Sequence, residues 1–121
     1  MRELVSLAVA ALAPAKSVSA TDTSAAFDIS DFTGNCRFVL NSGAVAATGT
    51  SDVKLTHCDT IGGAYTDTGI AFAQVAQAAS VQDLLRNVDG LKKYVKVVNT
   101  LGGGSPAVPF SLMLIGKKAN G

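Results

Sequence analysis

The 121-residue sequence is short of almost everything that usually carries chemistry. It has one histidine, no tryptophan, two cysteines and a single glutamate. Charged residues make up 16% of it, against roughly 25% in an average soluble domain. With so little charge, the surface must present Ala, Gly, Ser, Thr and Val, and exposed apolar surface of that kind usually marks contacts between molecules. The formal net charge of +1 gives no bulk attraction to nucleic acid or to an acidic membrane face. The basic residues Lys92, Lys93 and Lys96, with Lys117 and Lys118, have only Tyr94 among them as a stacking surface. They are expected to solubilise strand ends or an edge strand. Neither a nucleic-acid partner nor a membrane is expected.

The length suits one domain. Residues 1–20 open with Arg2, run through an apolar stretch from Leu4 to Leu12, and end in Val18-Ser19-Ala20, which has the outline of a secretion signal. Glu3 and Lys16 count against that outline. The preferred expectation is an N-terminal arm docked on its own domain or on a neighbour, anchored by Leu4, Leu7, Leu12 and Val18. Pro14 would stop any helix, and the run is too short for a membrane helix. Residues 21–121 are expected to form the domain proper.

From Ser24 onward the pattern is of short strands between turns. Cys36-Arg37-Phe38-Val39-Leu40 alternates, and so does Val53 to Cys58, with Val53, Leu55 and His57 on one face and Lys54, Thr56 and Cys58 on the other. Asp59 to Thr68 reads as a long loop. Ala73 to Leu85 has some helical propensity and predicts at most a short helical turn. Tyr94 to Asn99 and Val108 to Ile115 read as a hairpin reversed by Gly102-Gly103-Gly104, with Pro109 marking an edge or a bulge. The expected fold class is all-β: a single-domain β-sandwich, with a jelly roll as its finer form and an extended N-terminal arm.

No catalytic or cofactor-binding group is expected, and no metal site. His57 has no evident nucleophile or carboxylate partner, because Cys58 beside it on a strand points to the opposite face. Asp28, Asp31, Asp59, Asp67 and Asp89 stand in turns, where such side chains bond nearby backbone N–H groups. The glycine run lacks the Lys-Ser/Thr pair of a phosphate-binding loop. Cys36 and Cys58 either form one bridge or stay as buried thiols. A reducing cytosol favours the thiols, although a protein that leaves the cell inside a particle can oxidise later.

The order of segments carries a resemblance. An apolar arm precedes Phe27-Asp28-Ile29-Ser30-Asp31-Phe32, then a strand ending in Asn41-Ser42-Gly43. Thr48-Gly49-Thr50, Val53-Lys54-Leu55-Thr56-His57-Cys58-Asp59 and Lys93-Tyr94-Val95-Lys96-Val97 follow. This arrangement resembles small virion structural proteins of tailed bacteriophages, of the capsid decoration or cement type. Cys58 departs from it, standing where a small polar residue is expected. The resemblance implies a non-enzymatic subunit, made in the host cytoplasm and located on the capsid surface. Its implied partners are the major capsid protein and copies of itself, as a homotrimer. A head–tail connector or tail component is one alternative. A secreted adhesion or carbohydrate-binding module is another.

Overall fold

The computed structural model describes residues 7–104 and 106–118, and everything below concerns those residues. Nine strands follow one another: β1 (Leu7–Val18), β2 (Asp22–Thr23), β3 (Phe27–Asp28), β4 (Phe32–Ser42), β5 (Thr50–Cys58), β6 (Thr66–Ala71), β7 (Ser80–Asn87), β8 (Tyr94–Gly102) and β9 (Val108–Lys118). The described residues contain no helix. The chain is an all-β sandwich of two antiparallel sheets.

The first sheet runs β1-β9-β4-β7 and the second β2-β8-β5-β6, with β3 also on β8. The pairs β1 with β9, β2 with β8, β4 with β7 and β5 with β6 are nested, as if one long hairpin had been rolled up around its innermost turn. That is the wiring of a jelly roll. The short strands β2 and β3 act as one interrupted strand along β8, meeting it at Asp22↔Asn99 and Phe27↔Val95.

The core lies between the sheets because inward positions alternate with outward ones. Phe38 and Leu40 of β4 and Leu112 and Leu114 of β9 face Val53 and Leu55 of β5 and Val95 and Val97 of β8, all at most 2% exposed. Each such side chain contributes on the order of 1.5–3 kcal/mol by leaving water. Besides Ser42 and Thr56, one bonded polar pair is buried: Asn99 is fully enclosed, and its Oδ1 accepts a 2.6 Å hydrogen bond from Ser51 Oγ. Its Nδ2 has no partner.

Two expectations need correction. Tyr94–Gly102 and Val108–Lys118 do not form a hairpin, because β8 and β9 lie in different sheets. The glycine-rich link is a corner between the layers. There Gly103 has φ +84° and packs so close to the Thr48 carbonyl that a Cβ would lie 2.7 Å from its oxygen. Ala73–Leu85, read as at most a short helical turn, holds no helix, and its second half begins an unforeseen edge strand, β7. Of the two places expected for Pro109, an edge or a bulge, the second fits: it sits second in β9, an inner strand between β1 and β4, opposite Ser17 and next to the register shift between Ala13 and Lys16.

Candidate assembly surface

An antiparallel sheet with one face on the core normally turns polar residues to solvent on the other. The second sheet does so. Its outer face carries the polar Asp52, Lys54, Lys96 and Thr100 with a buried Thr56 and a half-buried Val98 among them, and Lys54 pairs with Asp67 at 3.5 Å. The Lys96 ammonium lies 4.5 Å from the centre of the Tyr65 ring.

The first sheet does not. The register aligns Val9, Ile115, Arg37 and Leu85 across its four strands in one row, and Ala11, Met113, Val39 and Asp83 in the next. Ser111, Asn41 and Val81 form a third. These residues alternate with the buried Leu112, Leu114, Phe38 and Leu40, so they occupy the outward face. Val9 is 59% exposed, Val81 71% and Leu85 56%. The chain's only other large hydrophobic residue exposed to this degree, among those described, is Ile61 in the loop after β5. Toward the β7 edge of the face stands one ion pair, Arg37 Nε to Asp83 Oδ2 at 3.6 Å, with Lys117 at one end.

The residues expected to anchor an arm are distributed differently. Leu4 lies outside the described residues, and for Leu7 only its place in β1 is described, opposite Lys117. Leu12 and Val18 are buried in the chain's own core, at 3% and 9% exposure. Residues 7–18 are the edge strand of the first sheet, hydrogen-bonded along β9. They therefore belong to the sandwich, and the surface they offer a neighbour is their outward side at Val9 and Ala11. Periodicity at β7 could have exposed this face from sequence. Val81, Asp83 and Leu85 alternate with Ser80, Gln82 and Leu84, so two of the three apolar residues take the outward phase and only Leu84 packs against the core.

Cys36 and Cys58 are both free. Cys36 is buried beneath β9, where its sulfur occupies the space a Cβ on Gly116 would need. Burial pushes its thiol up from the ordinary range, against a backbone hydrogen bond at Lys117. Cys58 is half-exposed at the end of β5. Hydrogen bonding to the Thr60 backbone and then to its hydroxyl holds that thiol below its usual range. His57 Nδ1 accepts a 3.1 Å hydrogen bond from the Lys92 backbone N–H, which ties the imidazole to the loop before β8.

Two acids act as turn caps, as expected from sequence. Asp28 accepts from the Ser30 hydroxyl and N–H, and Asp67 from the Gly69 N–H. Asp89 joins the Gly34 N–H at 2.9 Å and borders a cleft of about 510 Å³ at one end of the sandwich, shared with Phe32, Leu91 and Lys92. No group of three or more His, Cys, Asp or Glu able to hold a metal occurs among the described residues, and no helix there is long and apolar enough to cross a membrane. No protein-family model matches the chain, and neither a curated protein nor a solved structure does.

Proposed function

We propose that the chain is a virion structural protein of the capsid-decoration type, acting by packing against capsid proteins and copies of itself without catalysis. The observation that carries this reading is the contrast between the two outer faces. One is mostly polar, with Val98 as its one large aliphatic side chain in β8, while the other sets Val9, Val39, Val81, Leu85, Met113 and Ile115 about an ion pair. A contiguous apolar face of this kind is costly to leave wet and is characteristic of an interaction surface. The jelly-roll wiring is compatible with the reading, since capsid proteins use it, but lectins and cupins use it too. Fold alone does not choose among them. The resemblance in segment order to small phage virion proteins favours the first. The near-neutral charge fits a protein partner and neither nucleic acid nor a membrane surface.

The test is quantitative mass spectrometry of density-purified particles from cells producing the chain. Decoration requires the chain to band with particles at a copy number comparable to that of the major capsid protein. A few copies per particle would move it to a connector or tail. Absence from particles, with cleavage after Ala20, would replace the reading by a secreted binding module.

A further inference from the structure

We propose that the outer face of the first sheet is the interface of a two-fold homodimer, in which a second copy of this chain lies face to face with the first and Arg37 of each copy meets Asp83 of the other. This rests on the reading of the chain as a subunit that works by packing, and it names both the surface and the occupant.

Three features favour a second copy over another partner. The first is charge complementarity. On its β7 side the face carries one cation, Arg37 on β4, and one anion, Asp83 on the edge strand β7, so a partner of a single charge sign would gain from one and lose to the other. A copy related by a two-fold axis presents the opposite charge to both, and each contact is made twice. The second is the distribution of apolar groups. Val9 lies at the β1 margin and Val81 and Leu85 at the β7 margin, with Val39, Met113 and Ile115 half-buried between them. A face that is apolar at both margins matches itself after a half-turn. The third is area. The ladder from Asn35 to Ser42 on β4 is eight residues long. At the usual strand spacings this is about 26 Å by 19 Å for four strands, so two copies would cover roughly 1,000 Å², the lower bound of specific interfaces.

The trimer implied by the resemblance to decoration proteins would use a different, head-to-tail contact. The face-to-face arrangement also leaves the polar second sheet outward on both sides, where its charges stay in water.

The experiment is sedimentation equilibrium on the full chain, alone and as charge-reversed variants. The wild type is expected as a dimer. Arg37→Asp and Asp83→Arg should each weaken self-association by roughly two orders of magnitude, because like charges then face one another across the axis. An equimolar mixture of the two should restore the dimer, since each reversed chain complements the other. Val81→Asp, a change at an exposed side chain, should also dissociate the dimer while leaving the far-ultraviolet circular dichroism spectrum unchanged.

A wild type that stays monomeric, a trimer indifferent to these substitutions, or a mixture no tighter than its components would overturn the proposal. Particle association is measured separately. A monomeric chain that still bands with particles removes this inference and leaves the virion reading. A dimer absent from particles does the reverse.

Discussion

The Ser51–Asn99 pair permits a calculation with opposite signs for one substitution and for two. Asn99 is fully buried on the inner face of β8 among Val95, Val97 and Val53, and among the described residues the bond from Ser51 Oγ is the only one its side chain makes. Replacing Ser51 by Ala leaves both ends of that amide unpaired inside the core. The ladder survives, because the Ser51 backbone still exchanges hydrogen bonds of 2.8 and 2.9 Å with Val75. The cost is therefore that of an unsatisfied buried polar group, about 2 kcal/mol. For a domain of this size, that lowers Tm by roughly 6–10 °C.

Asn99→Leu is nearly isosteric and removes the unpaired Nδ2 together with Oδ1, leaving only Ser51 Oγ without its acceptor. The double variant, Ser51→Ala with Asn99→Leu, has no orphan at all and should equal or exceed the wild type. Equilibrium urea unfolding of the four proteins measures the cycle. The expected coupling between the two sites is about 2 kcal/mol. A Ser51→Ala variant as stable as the wild type, or a double variant as damaged as the sum of the singles, would refute the reasoning.

Two further outcomes follow from the thiols and the turn carboxylates. Iodoacetamide at neutral pH should modify Cys58 first, because it is half-exposed with its thiol shifted down, whereas Cys36 should react only after unfolding. Peptide mapping of a partly alkylated sample reads the order, and equal rates would contradict the burial of Cys36. The carboxyl of Asp28 is held below its ordinary range by the Ser30 hydroxyl and N–H, and that of Asp67 by the Gly69 N–H. A carboxyl depressed on folding stabilises the native state above its unfolded pKa, and that contribution fades as pH falls through the folded value. Stability should thus decline below about pH 4, and Asp28→Asn with Asp67→Asn should flatten that decline in urea midpoints measured from about pH 3 to 5.

The sandwich was legible where one face of a strand is buried. Alternation in Cys36–Leu40, Val53–Leu55 and Val108–Leu114 marks strands directly, because period two decides which residues leave water. Two kinds of information were hidden. Periodicity shows that β8 and β9 are strands but carries no trace of which sheet each joins, so a corner around Gly103 looked like a hairpin turn. The edge strand β7 was obscured because its inward positions are Ser80, Gln82 and Leu84, while Val81 and Leu85 point out. The Leu84-Leu85-Arg86 sequence also suits a helix, and pairing with β4 overrides that propensity. What disguised the strand is thus what marks the surface. Asn99 was likewise read only as the end of a strand, and its burial depends on β5 supplying Ser51 from 48 positions away.

Whether the outer face of the first sheet is covered in the working state is the central question, and hydroxyl-radical footprinting addresses it directly. The chain is labelled as the monomer, below the concentration at which copies associate, and again in its assembled, particle-bound form, and modification is read residue by residue. Val9, Val81, Leu85 and Met113 should be strongly protected on assembly, with Tyr65 and Tyr94 of the second sheet's side still labelled. Equal labelling of the first-sheet residues in both states, or protection confined to the second sheet, would contradict it.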